Sequence, residues 1–108
     1  MSRKPHSYSA VTVDALGVLG RQIEAERRTL QWTQADLAER AGVSRQTLMA
    51  IEQGSTNSTI GIVFEIATLL GIPLVGASAS ESRRNIDARL ALLPSRVDRT
   101  RGTVNDDF

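Results

Sequence analysis

The sequence contains no cysteine, which excludes a disulfide framework and any thiolate metal site and fits a reducing compartment. It has no apolar run near the roughly eighteen residues that a membrane-spanning helix requires. The opening, "MSRKPHSYSAVTVDALG", lacks a continuous apolar stretch ending in a small-residue cleavage site, so a secretory signal is not expected and the cytoplasm is the expected location. Prolines number three and glycines eight in 108 residues, with 41% hydrophobic residues. That length gives room for one small soluble module and a tail, and too little for a two-lobed enzyme. Neither sign of charge is in excess, since the net charge is +1.

Catalytic constellations are missing too. His6 stands alone, no serine sits in a nucleophile elbow, no glycine-rich loop matches a phosphate cradle, and the carboxylates are scattered among arginines. Asp106 and Asp107 read as a solvated end rather than a metal pair. The expectation is a protein that is not an enzyme and uses no metal or cofactor.

What remains is a chain of short helical patterns. Residues 1–11 mix Ser, Pro, His and Tyr without periodicity and read as a flexible arm. From Thr12, a predicted N-cap, Leu16, Leu19 and Ile23 recur at helical spacing and predict a first helix over about 13–28. Thr33 caps a second, "QADLAERA", with Leu37, Ala38 and Ala41 as its apolar stripe and Gly42 placed to close it in the left-handed region. Ser44 caps a third, "RQTLMAIEQ", with Leu48 and Ile51 facing inward and Gly54 closing it. Thr59 caps a fourth, "IGIVFEIATLL", which is apolar nearly all round and ends at Gly71 ahead of Pro73. Such a helix is either the central pillar of a small core or part of an oligomer interface.

"VGASASES" reads as a linker, and "SRRNIDARLALLPSRV" as a fifth helix with Ile86, Leu90 and Leu93 on one face and arginines opposite. "GIPLVGA" is the one candidate for a short β segment. The domain reading is an arm at 1–11, a helical module at 12–75, a linker and C-terminal helix at 76–94, and a flexible tail at 95–108. The fold class is all-α, with four to five helices.

Two short helices joined by the turn "GVS", the second opening with outward polar side chains, make a helix-turn-helix pattern, whose second helix fits a DNA major groove. Together "LGRQIEAERR", "WTQADLAERAGVSRQTLMAIEQG" and "TIGIVFEIATLLGIPL" resemble the lambda-repressor-like (Xre) DNA-binding domain without gaps from about Leu19 to Leu74. Arg45 and Gln46 open the recognition helix, where arginine suits guanine and glutamine suits adenine bidentately. Thr47, Met49 and Ala50 are read on the same exposed face, with Thr and Ala suited to a thymine methyl.

The resemblance implies that Gln34 holds a backbone phosphate, and that Ser44, Gln53, Ser55, Thr56 and Asn57 also lie along the phosphates. It further implies a structural ion pair between Arg27 and Glu52. The family usually has glycine where this chain has Gln31, so the end of the first helix is expected either to differ locally or to carry a small strain.

Between residues 13 and 74 there are five arginines against seven acidic residues, a net of −2. Positive charge lies outside, in Arg3, Lys4, Arg83, Arg84, Arg89, Arg96, Arg99 and Arg101. Because phosphate neutralisation supplies most non-specific affinity, such a module must act as a dimer on double-stranded operator DNA or borrow its flanks. Surplus apolar surface places the homodimer contact within residues 60–93.

The ending "LPSRVDRTRGTVNDDF" is similar to the tails of HipB-like antitoxins and of Xre regulators encoded beside HipA-like kinases. That similarity implies an autoregulating repressor and antitoxin that binds a HipA-like kinase toxin through Arg96, Arg99, Arg101 and the terminal Phe108. A stand-alone homodimeric Xre regulator is the alternative, and a protein-only adaptor on the same fold is a third reading.

Overall fold

The computed structural model describes residues 7–75 and 78–96, so His6, Arg99, Arg101, Asp106, Asp107 and Phe108 lie outside the described residues. The described residues form five helices and no strand: α1 (Ala10–Thr29), α2 (Gln34–Ala41), α3 (Arg45–Glu52), α4 (Ile60–Leu70) and α5 (Ala79–Ala91). No helix among them is long and apolar enough to cross a membrane. The chain divides into two units, Met1–Leu74 and Val75–Phe108. The segment "GIPLV" therefore holds no β segment, and instead buries Ile72.

Helix α1 begins three residues before the predicted start, with Ser9 and not Thr12 as its cap. The Thr12 N–H donates to Ser9 Oγ at 3.3 Å and the Val13 N–H to the Ser9 carbonyl at 3.1 Å. These two bonds hold a helical turn over Val11, Thr12 and Val13, whose β-branched side chains favour it little on their own.

All four helices of the first unit end in the same Schellman arrangement. Gln31, Gly42, Gly54 and Gly71 each take a left-handed conformation, with φ of 61°, 72°, 83° and 75°. In each case the next residue's N–H reaches back five residues: Trp32 to Arg27, Val43 to Ala38, Ser55 to Ala50 and Ile72 to Ala67, at 2.8–3.1 Å. Gln31 is the exception in chemistry, as the one non-glycine with positive φ among the described residues.

The core of this unit takes one wholly buried side chain from each helix: Ile23, Leu37, Leu48 and Ile66. Each contributes about 1.5–3 kcal/mol from burial. Ala38, Ile51, Ala67, Leu70 and Ile72 complete it, with Trp32 and Val43 packed on its edge. Helix α4 supplies more of this core than any other helix, with Ile66, Ala67 and Leu70 buried, yet Ile60 stays 72% exposed and Phe64 37%.

Backbone meets backbone where α1 crosses the end of α3. A Cβ placed on Gly20 would sit 2.5 Å from the Glu52 carbonyl oxygen and 2.6 Å from that of Ile51. One on Gly54 would lie 3.0 Å from the Gly17 Cα. A glycine in the interior of a helix, costly for its own stability, is explained at Gly20 by this close approach, whereas a Cβ on Gly17 would meet nothing within 4 Å.

In the second unit, α5 starts at Ala79, inside the stretch read as linker. Ser78 caps it, its Oγ accepting from the Glu81 N–H at 3.2 Å. The helix buries none of its residues, and Ile86, Leu90 and Leu93 are exposed.

Candidate nucleic-acid interface

The pair α2–α3 is built by its caps. Thr33 Oγ1 accepts from the Asp36 N–H at 3.0 Å while Asp36 Oδ2 accepts from the Thr33 N–H at 2.9 Å, a reciprocal capping box. Those bonds, the backbone one above all, hold the Asp36 carboxyl below the usual carboxylate range. The turn at Gly42 then admits Ser44, whose Oγ accepts from the Thr47 N–H at 3.0 Å and shares a hydroxyl contact with Thr47 at 2.9 Å.

Helix α3 buries Leu48, Ile51 and Glu52, and leaves Arg45 and Gln46 exposed at its start. Arg45 makes no ion pair among the described residues and is the sole charge on α3 besides buried Glu52. Thr47, Met49 and Ala50 do not share that exposure, contrary to the sequence reading: all three are half-buried on the flank. Packing of α3 against both α1 and α2 leaves only a narrow free strip. Beyond the helix Gln53 and Asn57 are exposed, and Ser55 and Thr56 are half-buried. The Asn57 N–H donates to Ser55 Oγ at 3.0 Å, which shapes the loop.

Behind this surface lies a buried polar cluster. Arg27 Nε donates to Glu52 Oε2 at 2.7 Å, Arg27 Nη2 to Glu52 Oε1 at 3.0 Å, and Arg27 Nη1 to the Trp32 carbonyl at 2.9 Å. Both side chains of this ion pair are over nine-tenths buried. The hydrogen bond that Arg27 donates to Glu52 raises the Arg27 pKa against the opposing effect of burial. The pair ties α1 to α3, and Arg40 stacks over the Trp32 ring at 4.2 Å to tie α2 to the same corner.

Gln34, the residue that the resemblance places on a phosphate, also bonds inward. It is half-buried, and its Nε2 donates to Glu52 Oε1 at 3.1 Å. It also lines a surface depression at the start of α2, together with Glu24, Arg27, Arg28, Thr33, Ala35 and Arg45. Arg28 does not stand out in the sequence, where it is one more arginine at a helix end; its pairing with Glu24 at 2.7 Å, four residues back, is the one local signal. Arg28, Gln34 and Arg45 thus come together from three helices. Of the tail residues singled out, Arg96 is exposed in the second unit.

A second surface feature is apolar. Leu16, Leu19, Ile51, Ile60, Val63, Phe64 and Leu74 line a groove of about 370 Å³, rimmed by Gly54, Ser55, Thr56 and Ser58. No charged residue lines it.

The Helix-turn-helix family model matches residues 23–76, half of the chain. An uncharacterized HTH-type transcriptional regulator of Methanocaldococcus jannaschii is 45% identical over 42 residues, which is 39% of this chain and 64% of the relative. A protein of the same description from Methanothermobacter thermautotrophicus is 43% identical over 49 residues, covering 45% of this chain and 71% of the relative. The chain thus spans just under two thirds of the first relative's length. The matched stretch runs from Ile23 in the core of α1 through the α2–turn–α3 pair and past α4, and on that ground the chain belongs to the helix-turn-helix family, of the Xre type.

Proposed function

We propose that this chain is a sequence-specific transcriptional repressor that binds double-stranded operator DNA as a homodimer in the cytoplasm. The observation that carries the reading is the exposed Arg45–Gln46 step at the start of α3, beside the depression of Arg28 and Gln34. With α3 in the major groove, Arg45 and Gln46 read base edges, and Thr47, Met49 and Ala50 line the narrow margin behind them. Gln34, Ser44, Gln53, Ser55, Thr56 and Asn57 follow the phosphates, with Arg28 as an added cation. Both relatives are named as transcriptional regulators, which supports this reading.

The homodimer is part of the proposal because a module of net charge −2 between residues 13 and 74 gains too little from one half-site. The uncharged apolar groove at Ile60 and Phe64 suits a two-fold contact, since a patch that meets its own copy must carry no surplus of one sign.

The experiment measures affinity for the gene's own promoter fragment at fixed salt, against scrambled DNA. The double substitution Arg45→Ala, Gln46→Ala should remove most discrimination, at about 1–3 kcal/mol for each base-edge interaction removed. Equal affinity of the unmodified protein for both DNAs would defeat the reading, and would leave the protein-only adaptor.

For the second unit we propose the antitoxin role, in which the C-terminal segment binds a HipA-like kinase toxin. The similarity of "LPSRVDRTRGTVNDDF" to such tails supports it, with Arg96, Arg99, Arg101 and Phe108 as contacts. Deleting residues 95–108 should abolish toxin binding while keeping operator affinity. If toxin binding survives the deletion, or no kinase binds the full chain, the stand-alone homodimeric regulator is the correct description.

A further inference from the structure

Gln34 and Glu52 meet across the join of α2 and α3. The buried Glu52 carboxylate takes three donors: Arg27 Nε on Oε2 at 2.7 Å, and Arg27 Nη2 and Gln34 Nε2 on Oε1 at 3.0 and 3.1 Å. A carboxylate held in a guanidinium fork is ionised, and an ionised carboxylate only accepts hydrogen bonds. The end of the Gln34 amide that faces Glu52 must therefore be its NH2 group. A glutamine without such a partner turns over freely and exchanges donor for acceptor, and Glu52 removes that freedom.

We infer that Glu52 is a positioning residue for DNA-backbone binding, fixing the Gln34 amide so that its second N–H is the group available in the depression Gln34 lines. The inference rests on the proposed DNA binding, which puts a phosphate in that depression. The surroundings agree in sign. Arg28 and Arg45 bring guanidinium groups, and the carboxylates nearby are already engaged: Glu24 by Arg28 at 2.7 Å, Glu52 by Arg27, and Asp36 by the Thr33 N–H at 2.9 Å. An amide turned the other way would present Oε1, an acceptor, to an anion. The Glu52 carboxylate therefore does more than join α1 to α3 through Arg27, because it also sets the Gln34 donor.

The test is a double-mutant cycle of Gln34→Ala and Glu52→Gln in the full chain, read as affinity for the promoter fragment at fixed salt, with helical content checked for each variant. The substituted amide at 52 has nearly the shape of the carboxylate but can donate as well as accept, so Gln34 regains its freedom to turn. A hydrogen bond to a charged phosphate is worth roughly tenfold or more in affinity. Glu52→Gln should weaken binding about fivefold to tenfold with Gln34 present, and less than about twofold after Gln34→Ala. Equal losses in both backgrounds would mean that Glu52 serves the fold alone, and would overturn the inference. Unchanged affinity in Gln34→Ala would overturn it as well, while leaving the reading by Arg45 and Gln46 intact. Loss of all sequence specificity in the unmodified chain would remove both.

Because Glu52→Gln strains a buried pair, side-chain amide exchange in the unmodified protein gives an independent measurement. One Nε2 proton of Gln34 should be protected in the free protein, and the second should gain protection when the promoter fragment is added. Two protons exchanging at solvent rates would overturn the proposal.

Discussion

Replacing Gln31 by glycine should make this protein more stable, although glycine is ordinarily a poor choice for stability. Gln31 sits at φ 61° after α1, where a side chain presses its Cβ against the following carbonyl oxygen. That strain costs about 1–2 kcal/mol for an L residue, while the extra freedom glycine gains in the unfolded chain takes back about 0.5–1 kcal/mol. Nothing else is lost. The bonds that close α1 are made by backbone groups, Gln31 N–H to the Arg28 carbonyl at 2.9 Å and Trp32 N–H to the Arg27 carbonyl at 3.1 Å, and the Gln31 side chain is exposed. The net gain of about 0.5–1 kcal/mol corresponds to a rise in Tm of about 2–8 °C for a domain of this size. Thermal unfolding followed by circular dichroism at fixed protein concentration measures it. Gln31→Ala is the control, because it removes the side chain but keeps the Cβ, and it should give no gain. An unchanged or lowered Tm for Gln31→Gly, or an equal rise for Gln31→Ala, would refute the strain argument.

Three further perturbations have defined outcomes. Gly20→Ala should destabilise by about 1–3 kcal/mol in denaturant titration, since the new methyl has only the carbonyls of Ile51 and Glu52 to push against. Arg27→Met should cost about 3–5 kcal/mol by leaving Glu52 buried without its cation, and adding Glu52→Met should recover much of that loss; if the double variant is no better than the single one, the pair is not the cause. Asp36 has a lowered native pKa, so its share of stability is complete above the unfolded carboxyl pKa and is lost as pH falls through the native value. The Tm difference between the protein and its Asp36→Asn variant should therefore close on acidification through the carboxylate range, and a difference that stays constant with pH would contradict the cap.

The α2–turn–α3 pair is legible in the sequence because local chemistry decides it. Thr33 and Ser44 satisfy first-turn amides, and Gly42 and Gly54 take the left-handed positions that end each helix. The start of α1 is hidden by its β-branched run, with Ser9 and Thr12 both able to cap and only the chain path choosing between them. The start of α5 is hidden differently: "SASE" has the serine and glutamate spacing of a cap, but its small residues look like a linker.

Site residues divide the same way. Arg45 and Gln46 follow from their position after a cap, and the structure leaves them exposed. The partial burial of Met49, the attachment of Gln34 to Glu52, and the arrival of Arg28 beside Arg45 depend on how three helices cross, which no spacing within one helix encodes. The crowding around Gly20 belongs to the same class, since its neighbours, Ile51 and Glu52, lie on a different helix far along the chain.

That crowding bears on how proteins of this design change their targets. Where α1 and the end of α3 touch through main chain, the tilt of α3 is set by atoms that every amino acid shares. Core side chains can drift in size and alter stability without re-aiming the helix, provided Gly20 stays. On the proposed reading, the exposed positions at its front, 45 and 46, are then free to vary like type in a fixed frame. New specificities should be obtainable by exchanging those letters alone, and substitutions at Gly20 should be the ones that blur every letter at once.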